Sequence, residues 1–236
     1  MREKKIRVAL ALFLTVSLLL FGVLPLNGMA TGGGVLTHIK TEERIVALTF
    51  DDGPHPRYTP AILDLLLAYG AKATFFVIGK NLEYYAEAAK RAVREGHEIG
   101  NHTYSHPTLS ALSYDEIEGE LLKNAAAIEE KLGVRPSVFR PPEGSCTRAV
   151  EAAAAYCGTP LILWSVDTRD WSGRSSSRIV SEVMEKTVPG AIILFHDYTV
   201  GDCHTLEALK EILPRLSAAG YRFVTVSELL GNREVA

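Results

Sequence analysis

The sequence predicts an α/β protein built on one parallel sheet: a closed or nearly closed β/α barrel, with a doubly wound open sheet as the rival arrangement. From Ile45 onward, short apolar runs alternate with longer helical patterns. Such alternation implies parallel strands joined by right-handed crossovers. The short runs also carry few polar residues, as expected when helices cover both faces of a sheet.

In chain order the strand-like runs are "RIVALTF", "ATFFVI", "HEIGN", "SVFR", "LILWSV", "AIILFH" and "RFVTV". Between them the helical period appears in "TPAILDLLLAYG", "YYAEAAKRAVREG", "DEIEGELLKNAAAIEEKLG", "AVEAAAAYC", "RIVSEVMEKT" and "LEALKEILPRLSAAG". Ser113 and Glu116 have capping-box spacing ahead of the third helix. Gly70, Gly96, Gly133 and Gly220 stand where helix C-caps belong. Pro214 interrupts the last pattern and is expected to kink it. No internal repeat, low-complexity segment or second domain is evident.

The length of 236 residues suits one sizeable core. With 47% hydrophobic and 22% charged residues, disorder and a coiled coil are excluded as the main state. A formal charge of -3 and the lack of a basic stripe argue against nucleic-acid binding. The N-terminus differs from the rest. "MREKKIR" is basic, "VALALFLTVSLLLFGVLPL" is apolar, and Gly28-Met29-Ala30 resembles a small-residue cleavage site. Residues 1–30 therefore read as an export signal, or as an uncleaved membrane anchor because the run approaches the roughly 20 residues of a span. Either way the remainder faces outward, extracellular or associated with the cell wall. Residues 31–44 read as a linker, 45–230 as the folded domain and 231–236 as a tail. Beyond residue 30, 21 basic and 27 acidic residues give a formal charge of -6. Of the three cysteines, Cys157 reads as a buried small hydrophobe. Cys146 and Cys203 follow candidate site motifs, so a disulfide on the rim is one pairing the sequence leaves open.

Polar residues gather at the strand ends. The first strand ends in Asp51-Asp52, the third runs into "NHTYSH" with His102 and His106, and the fourth ends in "RPPEG" with Arg140. "SVDTRDW" brings Asp167, Asp170 and Trp171, and "LFHD" brings His196 and Asp197. In a β/α barrel these ends open onto one face, where active sites sit. Histidines four apart share one face of a helical turn. Two imidazoles and one carboxylate with open positions suit a catalytic divalent ion, although a lone HxxxH is more often a hydrogen-bonded or solvated pair. A cation lets two adjacent carboxylates both stay ionised, one ligating and the other accepting a proton from water. His196 then suits a general acid, with Asp170 to hold its imidazole and Arg140 to pair with the base. For Arg140 alone an ordinary ion pair is the bland alternative. His97 reads as a core residue, His38 as part of the linker, His204 as a rim residue and His55 as turn structure. Tyr69, Tyr84 and Tyr85 read as packing.

"TFDDGP", "HTYSH", "RPPEG", "DTRDW" and "LFHD", in this order, resemble the five motifs of the polysaccharide deacetylase family, also called the NodB-homology or carbohydrate esterase family 4 domain. The resemblance covers Ile45 to about Leu230. It implies a distorted (β/α)7 barrel and metal-dependent removal of N- or O-acetyl groups from polysaccharides. By resemblance, Asp51 is the base; Asp52, His102 and His106 are the metal ligands; Arg140 orients the catalytic carboxylates; Asp170 tunes the acid; and His196 is the acid. Trp171 and Leu194 match residues that wall the pocket for the acetyl methyl. Glu143 departs from the aromatic residue common at its position, but its backbone N–H still matches an oxyanion-hole donor.

The expected cofactor is one divalent ion, Zn2+ first, with Co2+, Ni2+ or Fe2+ also suiting this ligand set. The expected substrate is an N-acetylated cell-wall polysaccharide, peptidoglycan foremost, acted on at GlcNAc or MurNAc to release acetate. Chitin-oligosaccharide N-deacetylation and acetylxylan O-deacetylation are the alternatives within enzymes. A non-catalytic carbohydrate-binding protein is the alternative outside them. The chain is expected to be monomeric, and to meet a membrane only through the N-terminal segment.

Overall fold

A computed structural model describes residues 34–198 and 204–232. The expected export signal or anchor, Cys203 with its possible link to Cys146, and residues 233–236 lie outside the described residues. The architecture is α/β with a parallel sheet, as expected. Its strands are β1 (Ile45–Asp51), β2 (Ala73–Val77), β3 (Glu98–Asn101), β4 (Val166–Asp167), β5 (Ile192–His196) and β6 (Arg222–Phe223). Helices α1 (Tyr58–Ala68), α2 (Gly79–Arg94), α3 (Tyr114–Leu132), α4 (Arg148–Tyr156), α5 (Ser176–Lys186), α6 (Thr205–Ala218) and α7 (Val226–Gly231) alternate with them. The strand order is β3-β2-β1-β5-β4, with β6 also paired to β1, and every pairing is parallel.

The two-residue period of β1 sorts its side chains. Val46, Leu48 and Phe50 face the helices, and Phe50 stacks between Phe75 and Phe195 at 5.0 and 5.6 Å. Each such fully buried ring contributes about 1.5–3 kcal/mol. Ile45 and Ala47 face the inner cluster of Phe76, Val138, Ile162 and Ile192. Thr49 and Asp51 follow Ile45 and Ala47 on this inner face, so one strand supplies both core and site.

The ring of strands is distorted. Beyond β3, single bridges join Asn101 to Phe139 and Phe139 to Leu161, and the chain through Leu161 runs on to β4 beside β5. "SVFR" and "LILWSV", expected as full strands, thus pair only at isolated residues and at β4. Pro136, Pro141 and Pro160 flank these runs, and proline cannot donate to a ladder. "RFVTV" is likewise cut to β6, because Thr225 and Glu228 form a capping box that starts α7 at Val226. The expected linker is partly docked: Leu36 bridges Ile162, His38 bridges Ala191, and Ile39 is buried. Its apolar residues have clusters to join, and Gly190 (φ 81°) leaves space where a Cβ would lie 1.7 Å from the Ile39 carbonyl oxygen.

The Ser113–Glu116 capping box is present, and Gly133 closes α3 in the left-handed conformation. A helical turn from Gly79 precedes the expected start of α2 and is joined to it across a kink at Tyr85 (φ -128°, ψ 25°), and α6 continues as one helix through Pro214. The packing expected of the tyrosines is overturned for two of them: Tyr69 is 41% and Tyr84 76% exposed. Cys157 is only half-buried, against the third apolar cluster.

Candidate active site

β1 carries Asp51 to the inner face and leaves Asp52 on the turn beyond it. Asp51 is buried, and the wholly buried Arg140 donates from Nη1 to Asp51 Oδ1 (2.8 Å) and to Thr49 Oγ1 (2.7 Å). Nη2 and Nε donate to the carbonyls of Leu163 (2.9 Å) and Ile162 (3.3 Å), and the guanidinium lies 4.2 Å over the Phe76 ring. The guanidinium is thus held by four acceptors, which fixes Asp51 Oδ1 and leaves Oδ2 facing His102 Nε2 at 3.9 Å.

Asp52 occupies the left-handed region (φ 73°), as do Thr103 (66°) and His106 (56°) on the loop after β3, so the two histidines stand on an irregular loop and not on the helical turn expected from their spacing. Such residues cost about 1–3 kcal/mol each and persist only where the surroundings hold them. Asn81 Nδ2 clamps the Asp52 carbonyl at 2.7 Å, and Thr103 Oγ1 accepts from His106 N at 3.1 Å.

Ligating atoms of Asp52, His102 and His106 all lie within 4.8 Å of one another. Asp52 Oδ1 sits 3.4 Å from His102 Nε2 and 3.2 Å from His106 Nε2, yet it is buried and has no hydrogen bond. The His102 tautomer follows from its other nitrogen. Nδ1 lies 2.8 Å from the Arg140 carbonyl, which can only accept, so Nδ1 carries the hydrogen and Nε2 presents a lone pair. The Nε2 atoms of both imidazoles therefore converge on one buried carboxylate oxygen, an arrangement that a shared cation satisfies. Burial works to raise the Asp52 carboxyl, but His102 and His106 outweigh it and hold the group well below the usual range. These residues fit a divalent ion.

His196 is the register partner of Asp51 on the neighbouring strand, so both side chains stand on the inner face. Its Nδ1 donates to Asp170 Oδ1 at 2.7 Å, leaving Nε2 as the working nitrogen. Asp170, buried in the turn Asp170–Ser172, also accepts from His196 N (2.9 Å), Thr205 Oγ1 (2.5 Å) and Trp171 N (3.1 Å). Burial would lower the His196 pKa, but Asp170, with Asp51 and Asp52 beyond it, raises it to about 9. The imidazole is therefore a proton donor at neutral pH.

Apart from Leu194, midway along β5, every residue expected at the site lies at the C-terminal strand ends or the loops following them. The pocket-wall pair divides: Leu194 is buried on the same face of β5 as His196, whereas Trp171 is 61% exposed. Glu143 is exposed in the turn Pro142–Gly144 with φ 57°. The bland histidines are bland. His97 is buried, accepts from Ala73 N at 3.1 Å and is held at about 4 by burial and Lys72. His55 accepts from the backbone N–H groups of Arg57 and Tyr58, each at 3.1 Å, within its turn. His38 Nε2 lies 2.9 Å from the Pro189 carbonyl.

Asp197 was visible in "LFHD" but had no expected role. It is buried, Thr59 donates to its Oδ2, and Gly53 packs so closely that a Cβ there would meet the carboxylate at 2.3 Å. Burial, together with the charges of Asp52 and Asp51, raises its pKa to about 7. Asn81 was also missed: it lies between the strand-like "ATFFVI" and the helical "YYAEAAKRAVREG", where a lone asparagine carries no sequence signal.

A family model for polysaccharide deacetylases matches residues 38–162. A peptidoglycan-N-acetylglucosamine deacetylase of Bacillus cereus is 44% identical over 200 residues, spanning 84% of this chain and 93% of that protein. A peptidoglycan-N-acetylmuramic acid deacetylase of Bacillus subtilis is 39% identical over 192 residues, 81% of this chain and 40% of that one. Among solved structures, a peptidoglycan N-acetylglucosamine deacetylase in complex with a substituted N-oxidanyl-benzamide superposes with a TM-score of 0.80 at 37% identity. It covers 85% of this chain and 95% of its own.

Proposed function

This chain belongs to the polysaccharide deacetylase family, and on that premise we propose that it hydrolyses N-acetyl groups of peptidoglycan, foremost at N-acetylglucosamine. The single observation that carries the reading is the convergence of Asp52 Oδ1 with the Nε2 atoms of His102 and His106, flanked by a base held by arginine and an acid held by aspartate. The peptidoglycan substrate rests on likeness to the Bacillus cereus deacetylase.

Asp52, His102 and His106 would hold the ion, with zinc the first choice for two imidazoles and a carboxylate. When bound, a divalent ion polarises the acetyl carbonyl and lowers the pKa of water. Asp51 accepts the proton of the attacking water on Oδ2, because Arg140 occupies Oδ1. The Glu143 backbone N–H is assigned to the oxyanion, where a fixed donor acts on developing charge. An amine anion is too basic to leave, so His196 donates from Nε2 to the departing nitrogen. Leu194 and Trp171 are assigned to the walls around the acetyl methyl. We also read the chain as exported and monomeric. The export reading rests on the pattern of residues 1–30, and finding the chain only in the cytosolic fraction would refute it.

Acetate release from peptidoglycan, chitin oligomers and acetylxylan, with and without chelator, tests the proposal. Release should be greatest from peptidoglycan, vanish with chelator and return with zinc; activity unchanged by metal removal would overturn it. The acid assignment makes its own prediction. Since His196 must be protonated to act, kcat should fall as pH rises through its pKa of about 9. Removing the Asp170 charge in Asp170→Asn should move this alkaline limb toward the ordinary histidine value near 6.5. An unmoved limb in the pH–rate profile would exclude His196 as the acid.

A further inference from the structure

We propose that Glu120 and Asn124, on one face of α3, are positioning residues that set the separation of the two metal-ligating histidines. This rests on the metal-site reading above. Residues four apart on a helix lie on the same face, and this face grips the residue immediately preceding each histidine. Asn124 is fully buried, and its Nδ2 donates to Asn101 Oδ1 (2.8 Å) and to the Val77 carbonyl (2.9 Å). Asn101 precedes His102; its Oδ1 also accepts from Thr103 N (2.9 Å) and its Nδ2 donates to the Leu121 carbonyl (2.9 Å). Glu120 takes both donors of Ser105, the residue before His106: N at 2.7 Å and Oγ at 2.9 Å. Between them Lys123 lies 3.6 Å over the Tyr104 ring.

The loop needs such a grip. Thr103 and His106 hold positive φ, a backbone state that non-glycine residues keep only when over-determined from outside. With both preceding residues pinned to α3, the imidazole rings stand 5.2 Å apart and their nitrogens converge on Asp52. Releasing either pin lets the loop relax and disperses the ligand set before any ion arrives.

The test titrates Zn2+ into the metal-stripped full chain in competition with a chromophoric chelator, alongside thermal melts without metal. Glu120→Ala and Asn124→Ala should each weaken zinc binding about 10–100-fold, the range for partners that orient metal ligands. Glu120→Gln should restore most of the affinity, since its amide can accept from Ser105 N and donate to Ser105 Oγ. Glu129→Ala, removing an exposed partner of Arg135 on the same helix, should change nothing. Folded Glu120→Ala with wild-type zinc affinity would overturn the proposal whatever its melting temperature, and this variant decides the matter if Asn124→Ala does not fold. A wild type that takes up no zinc overturns the site reading and the brace together. A zinc-binding chain that releases no acetate overturns only the deacetylase reading.

Discussion

Asp51→Asn should lower kcat for acetate release by about 10²–10⁴-fold, the usual contribution of a positioned general base, and excess metal should not restore it. The amide keeps the shape of the side chain and an acceptor for Arg140, but it cannot take a proton from water. Zinc affinity should stay near that of the wild type, because Asp51 lies outside the ligating trio. The substitution also has a structural cost. Arg140 is wholly buried, and Asp51 is the carboxylate it is paired with. Removing one partner of a buried pair costs about 3–5 kcal/mol, and the retained acceptor should bring Asn to the lower end. A melt should therefore fall, by about 2–4 °C for each kcal/mol in a domain of this size. Turnover per folded molecule is the deciding measurement, and wild-type kcat would exclude Asp51 as the base.

Asp52→Asn should do the converse. It removes the charge between His102 and His106 while keeping a residue that tolerates the left-handed backbone. Zinc affinity should fall by more than the 10–100-fold or so expected of outer partners, because the change is in a ligand itself. Turnover should recover in part at high zinc, as it cannot in Asp51→Asn. Competition titration and metal-dependent kcat separate the two neighbours; equal zinc affinity in Asp52→Asn and wild type would exclude Asp52 as a ligand. The apo chain should melt somewhat lower at neutral pH, since His102 and His106 favour the ionised Asp52 carboxylate in the folded chain and that stabilisation is lost with the charge.

Much of this site is legible in the order of residues. β1 is an apolar run that ends in two carboxylates, and its alternation decides that Asp51 shares an inner face with Thr49 while Asp52 falls beyond the strand. The capping box of Ser113 and Glu116 marks the start of α3 without reference to anything distant. These are local properties, set by period, sterics and short-range hydrogen bonds. Where sequence reading went astray, the missing information was competition. "SVFR" has strand composition, but its flanking prolines leave it no ladder to join. "RFVTV" reads as a strand, yet the Thr225–Glu228 box claims Val226 for a helix. Tyr84 lies on a helical pattern but remains largely exposed.

The chemistry-bearing residues, their order and the parallel alternation that brings them to one mouth were thus written in the chain. Their working states were not. That Arg140 is sealed from water, that Asp170 draws the His196 pKa up to about 9, and that the His102 tautomer turns Nε2 toward Asp52 all depend on contacts between residues 26 to 89 positions apart. Burial and hydrogen bonding set proton affinity, and both are sums over neighbours that only the folded chain assembles. The same holds for the grip of α3 on the histidine loop, since a glutamate and an asparagine on a helix face look like any others until the loop is packed against them.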